Sequence, residues 1–201
     1  YADQAWREFL FIRPLQALLI LDRTRGSADS LLPWYNGGGW LLDGPHVTAD
    51  QVRRSFILHF EAAPTANANR VAATLGTQTS ELITLLPTTP TYRILNEDRA
   101  GDEEAGQYRI ELDQIGATDA YFLNIVTGYD SGEAALATSL VDNGASWTIT
   151  LSHPVRGHAS IVLNKGMGSS GGSVSINGGE IVPLRDSVQG ISVTSERPVW
   201  E

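Results

Sequence analysis

The sequence predicts an all-β fold: an antiparallel β-sandwich of layered sheets, with many short strands and little helix. Three observations lead there. Apolar runs of about five to eight residues, rich in branched and aromatic side chains, recur along the 201 residues with Gly, Pro, Asn or Asp between them. Some runs alternate apolar with polar residues, the period of a sheet with one wet face. No stretch carries apolar residues at helical spacing over three turns, and no fixed-period repeat suggests a propeller. With 42% hydrophobic and 18% charged residues, the chain has core material for a single domain spanning 1–201.

In chain order, Glu8–Arg13 and Ala17–Arg23 form a hairpin across Pro14, because Pro interrupts the runs and leaves each too short for a helix. Neither run alternates cleanly, so both faces of these strands are expected to be covered, as in the middle layer of a sandwich or at a domain contact. Arg25 to Gln51 reads as loop, with Pro33, three glycines at 37–39 and Asp43-Gly44-Pro45. Strands follow at Ser55–Phe60, Arg70–Leu75, Glu81–Leu86, Thr91–Leu95, Gln107–Leu112 and Ala120–Thr127. More are expected at Ala135–Val141, Ser146–Ser152, Ala159–Leu163, Ser173–Ile176 and Ile191–Thr194. Asn177-Gly178 supplies a tight hairpin turn, since both residues tolerate the positive φ it needs.

The chain has no cysteine, which removes disulfides and thiolate metal sites. No apolar run approaches the roughly 20 residues of a membrane helix, and the amino terminus lacks the basic flank and apolar stretch of a signal peptide. The start at Tyr1, close to the first strand, fits an excised or processed piece of a longer protein. The net charge is −9, yet through Phe60 six acids are matched by six arginines. The excess therefore lies beyond residue 60. Such a surface repels phosphate backbones, so neither nucleic acid nor membrane is expected as a partner, and the balanced first third is the place for an acidic ligand.

Chemistry-bearing residues are few. There is no Gly-x-Ser-x-Gly elbow, and no catalytic residue is assigned. Trp34, Tyr35 and Trp40 are large aromatics in the Gly/Pro loop. They either plug the sandwich edge or offer a stacking platform for sugar rings, as in a stand-alone carbohydrate-binding module. The acids between Asn96 and Gly106 lack the order of a helix-loop-helix calcium site and read as a solvated loop. His153 and His158 flank a Pro/Gly turn at a spacing that suits two turn residues or a zinc ion. His59 stands inside an apolar strand, where it serves as a hydrogen-bonded core residue or presents a nitrogen to a metal.

The pattern Arg7-Glu8-Phe9-Leu10-Phe11-Ile12-Arg13-Pro14, then Leu19-Ile20-Leu21-Asp22-Arg23, then Phe56-Ile57-Leu58-His59-Phe60 with Pro64, resembles the start of the C-terminal β-domain of heparinase II/III-like polysaccharide lyases. The run Tyr121–Val126 also resembles a strand of that family. The resemblance implies β-elimination of uronic-acid polysaccharides by the whole enzyme, with Tyr and His catalysts in a preceding α-helical toroid absent from this sequence. This chain alone is then expected to be an inactive accessory domain that supports the toroid and one wall of the substrate cleft, or half of an enzyme working in trans with it. The expected partners are a polysaccharide and the toroid, and the expected setting is the periplasm or exterior of a bacterium. Some relatives bind zinc here through two His and one Asp. Asp22 and His59 match the Asp and the second His, whereas no match to the first His is found. The alternative for Asp22 is a salt bridge with Arg23 or Arg25, or a turn cap.

Overall fold

The computed structural model describes the backbone of residues 2–26, 30–31, 34–35, 40–41, 46–97 and 106–184, with the side chains of 4–26, 48–97 and 106–184. In chain order the strands are β1 (Ala2–Ile12), β2 (Ala17–Gly26), β3 (Ser30–Leu31), β4 (Trp34–Tyr35), β5 (Trp40–Leu41), β6 (His46–Val47), β7 (Arg54–Phe60), β8 (Thr65–Asn67) and β9 (Arg70–Leu75). They continue with β10 (Gln78–Leu86), β11 (Tyr92–Asn96), β12 (Tyr108–Gln114), β13 (Asp119–Asp130), β14 (Ala137–Asp142), β15 (Ser146–His153), β16 (Gly157–Asn164), β17 (Gly172–Ile176) and β18 (Val182–Leu184). A 3-10 turn at Arg13–Leu15 joins β1 to β2. Its Pro14 stands in the first turn, where the missing N–H leaves no helical bond unmade, and Gln16 closes it in the left-handed region at φ 50°.

Three antiparallel sheets form layers. The middle one has six strands in the order β1-β2-β13-β10-β9-β8. On one side lies a five-stranded sheet, β14-β15-β16-β17-β18, and on the other a three-stranded sheet, β11-β12-β7. Strand alternation sends successive side chains of the middle sheet to opposite layers. Ala17, Leu19 and Leu21 of β2 join Ile83, Leu123 and Ile125 against Trp147, Ile149, Leu151 and Ile161 of the five-stranded sheet. Ile20 joins Leu82 and Phe122 against Phe56, Phe60, Ile110 and Leu112 of the three-stranded sheet. The unbroken apolar run in β2 is thus a strand buried on both faces, as its lack of alternation predicts. For β1 the outcome differs. It is the edge of the middle sheet, and Phe9 and Phe11 are 61% and 59% exposed.

The alternating strands behave as their pattern demands. Trp147, Ile149 and Leu151 are buried while Thr150 and Ser152 are exposed. Asn177 and Gly178 both have positive φ, at 52° and 70°, and turn the chain from β17 into β18. Gly172 is required for a different reason: a Cβ there would lie 1.9 Å from the carbonyl oxygen of Val162 on the paired strand. Two strands outside the Gly/Pro loop escape the sequence reading. β8 pairs with β9 between the expected strands Ser55–Phe60 and Arg70–Leu75, and β18 contains Pro183 and has one strand neighbour among the described residues. Both are three residues long, too short to display a period. The stretch from Arg25 to Gln51, read as loop, carries two short ribbons, β3 with β6 and β4 with β5. Ile191–Thr194 lies outside the described residues.

Candidate functional site

The hairpin β1–β2 carries a charge pattern that the sequence displays as Arg-Glu and Asp-Arg, fifteen residues apart. Arg7 lies directly opposite Asp22 in the register, and Glu8 lies diagonal to Arg23. Because neighbours on a strand face opposite ways, the two ion pairs stand on opposite faces of the middle sheet. On the five-stranded side, Arg23 is 1% exposed, bonds Glu8 and donates from Nη2 to the Asn164 carbonyl at 2.7 Å. On the three-stranded side, Arg7 grips Asp22 with both ends of its guanidinium: Nε to Oδ1 at 2.5 Å and Nη2 to Oδ2 at 2.6 Å. Asp22 raises the Arg7 pKa through these hydrogen bonds. Arg7 also stacks over the Phe56 ring, 5.5 Å from its centroid.

Beside this pair a shallow cleft of about 310 Å³ opens between β1, β2 and β7, bounded by Ala5, Arg7, Asp22, Thr24, Arg54 and Ser55. Arg54 is buried and donates to the carbonyls of Ala117 and Thr118, which fixes it in the wall. Burial lowers its pKa, against the pull of nearby Asp119. Asp119 is itself held below the usual carboxylate range, first by the hydrogen bonds of Arg25 at 2.7 and 2.8 Å. Of the charged groups that line the cleft, two are guanidiniums, Arg7 and Arg54, and one is a carboxylate, Asp22, a surplus of one positive charge in a chain of net −9. Such a cleft favours an anionic group over a cation.

Asp22 and His59 do not come together. Asp22 faces inward between the middle and three-stranded sheets, 6% exposed, and its salt-bridge partner is Arg7 across the hairpin instead of Arg23 or Arg25. His59 lies on β7 between the inward Phe56 and Phe60, so alternation turns it to the outer face, where Nε2 is 3.3 Å from Glu97 Oε2. Among the described residues no three His, Cys, Asp or Glu groups cluster closely enough to hold a metal ion. Both ring nitrogens of His153 are engaged: Nδ1 accepts from the backbone N–H groups of Val155 and Arg156 in its own turn, and Nε2 contacts the Ala134 carbonyl, between β13 and β14, at 2.9 Å. His158 is exposed and its backbone N–H is bonded to Asn177 Oδ1. The backbone register places Tyr35 opposite Trp40 and Trp34 opposite Leu41. The side chains of Trp34, Tyr35 and Trp40 lie outside the described residues, as does much of the acidic run from Asn96 to Gly106.

Sequence reasoning missed the outer face of the three-stranded sheet. There Glu111, 7% exposed at its side chain, is met by Arg53 at 2.9 Å, by Arg109 at 2.9 Å and by Arg93. Arg53 also reaches Asp113 at 2.7 Å, and Arg109 reaches Glu97. The alternation of Arg109, Glu111 and Asp113 on β12 hints at a charged outer face, but the two other arginines come from distant segments that only pairing aligns.

No family model matches this sequence, and no curated protein matches it. Among solved structures, heparan sulfate lyase HepC from Pedobacter heparinus is similar over 90% of this chain, at 18% identity and a TM-score of 0.47. A mutant of the same lyase is similar over the same share, at 16% identity and a TM-score of 0.46. In each case the match covers 23% of the lyase, so this chain spans about a quarter of those chains.

Proposed function

We propose that this chain is a noncatalytic β-sandwich domain of a polysaccharide lyase acting on uronic-acid polymers, seated on a helical catalytic half and forming one wall of the substrate cleft. The observation that carries this reading is β1. Its sequence is that of a strand covered on both faces, yet Phe9 and Phe11 are exposed and the strand is a sheet edge eleven residues long. A long edge with large apolar side chains on one face is a docking surface in a stable protein. Two of the runs that carry the lyase resemblance, Arg7–Pro14 and Leu19–Arg23, form this hairpin, and the Arg7–Arg54 cleft beside it has the charge to face a uronate. The isolated chain, assayed on alginate and heparan sulfate, is expected to form no unsaturated product absorbing in the ultraviolet. Appreciable product would overturn the noncatalytic reading. Affinity electrophoresis in the same polymers tests the wall: Arg7→Ala is expected to reduce retardation, and unchanged retardation removes the cleft from the substrate path.

The cross-strand placement of Tyr35 and Trp40 favours a second reading, a stand-alone carbohydrate-binding module built on Trp34, Tyr35 and Trp40. Under it, replacing Trp34 and Trp40 by Ala abolishes retardation while Arg7→Ala leaves it intact. Zinc held by Asp22 and His59 requires a rearrangement that frees Asp22 from Arg7 and turns His59 from the outer face of the three-stranded sheet toward it. Isothermal titration of the chain with zinc, compared with Asp22→Asn, tests it: equal heats in both proteins count against the pair.

A further inference from the structure

A second cleft, of about 480 Å³, lies at the end of the layers where the 3-10 turn, the start of β10, the end of β13 and the β15–β16 turn meet. Its volume falls in the range of small-ligand sites, but its walls do not resemble the apolar pockets that most such ligands use. They are formed by Gln16, Gln78, Thr79, Ser80, Tyr129 and Arg156, with Asp130 and Glu133 at the margin. From this cleft we infer a binding site for a neutral, hydroxyl-rich ligand, a segment of uncharged saccharide.

Three observations lead to that class. The first is the donor and acceptor set along the walls: two carboxamides, the Ser80 hydroxyl and a phenol, with the Thr79 hydroxyl shared with Thr74 at 2.9 Å, suit hydroxyl groups that donate and accept at once. Tyr129 adds a ring for the apolar face of a sugar, next to its polar tip. The second is charge. Two carboxylates, Asp130 and Glu133, stand against one guanidinium, Arg156, so a uronate or sulfate meets a surplus negative charge here. This is the reverse of the Arg7–Arg54 cleft. The third is rigidity. Arg156 is 14% exposed at its side chain and is pinned by Glu133 at 2.7 Å and the Gly128 carbonyl at 3.2 Å. Its backbone N–H is held by buried His153. Gln16 is fixed at φ 50°, with its N–H bonded to the Arg13 carbonyl and its own carbonyl bonded by Thr127. A wall already in place loses less freedom on binding.

The test is a titration of the isotope-labelled whole chain, followed by amide NMR shifts, with cellopentaose, mannopentaose and an alginate-derived oligouronate. Shifts are expected at residues 78–80, 128–130 and 156 with at least one neutral oligomer, and the oligouronate should bind there about 10-fold more weakly. Gln78→Ala and Tyr129→Ala should each lower the affinity for the neutral oligomer about 5-fold or more. If Tyr129→Ala loses its cooperative melting, Gln78→Ala, at an exposed position, decides. The inference is overturned by no shift at these amides from either neutral oligomer at about 10 mM. It is equally overturned if the oligouronate binds there as well or better, or if the deciding substitutions leave affinity unchanged. Because the two clefts lie apart and take opposite charge, failure here leaves the lyase-domain reading standing.

Discussion

The two faces of the middle sheet are built from the same strands and packed in different ways. Toward the five-stranded sheet the contact is aliphatic and continuous from Ile12 and Leu15 to Leu163, with Trp147 edge-on to Tyr121 at 5.1 Å. The charged groups on this side are sealed in pairs: Arg23 by Glu8 and a carbonyl, and the buried Glu81 by Arg70. Toward the three-stranded sheet the apolar contact is smaller. It includes Asn124, fully buried with Oδ1 bonded by Thr84 while Nδ2 has no hydrogen-bond partner among the described residues. It also stops short of the end of β1, where Phe9 and Phe11 are exposed. One face closes the molecule, and the other leaves a charged cleft and an apolar edge beside it. The candidate site sits where packing is incomplete, because a binding surface needs groups that the core has not already consumed.

Four measurements can break or sharpen that contrast. The largest effect is expected from Arg23→Met, which leaves the Asn164 carbonyl and the part-buried Glu8 without the buried guanidinium that joins them: about 4 kcal/mol lost in urea unfolding. A loss near zero would mean that this face tolerates a plain apolar side chain in place of a buried guanidinium. Next, Ile149→Ala and Ile110→Ala create equal cavities on the two sides. About 3 kcal/mol is expected for Ile149 and about 2 kcal/mol for Ile110, because the smaller three-stranded layer can settle into the gap more freely. Equal losses remove the asymmetry.

The third measurement is of pH dependence. Arg25 depresses the folded pKa of Asp119, so the stabilisation is complete above the unfolded value of about 3.9 and is lost as pH falls through the folded one. Melting temperatures at about pH 7 and pH 3 should fall further apart in the native chain than in Asp119→Asn. The same fall in both would detach this pair from the stability of the cleft rim. The smallest effect is expected from replacing Phe9 and Phe11 by Ser together: within about 0.5 kcal/mol, since both side chains are already exposed. A loss of several times that, with the chain alone, would show that something covers this face in solution.

Much of the fold was legible. The unbroken run of β2 announced a strand buried on two faces, the alternation in β15 announced one wet face, and Asn177-Gly178 announced its turn. Of the candidate site, the sequence displayed the Arg7, Glu8, Asp22 and Arg23 pattern, and the resemblance drew attention to it, but their pairing was legible only once the hairpin register was known. Asp22 and His59 look like companions along the chain and are separated by a sheet, because a one-residue change in strand parity moves a side chain to the other face.

What the sequence by itself determined was local: where strands run, which residues share a face, where a turn can bend. These follow from the two-residue period and from φ preferences, which involve only near neighbours. Only the tertiary structure decided that β1 would be an edge, that three arginines would converge on Glu111, and that Gln16, Gln78, Tyr129 and Arg156 would wall one cleft. Such meetings depend on sheet order and layer stacking among strands far apart in the chain, and similar apolar faces leave many pairings open until the whole core is closed.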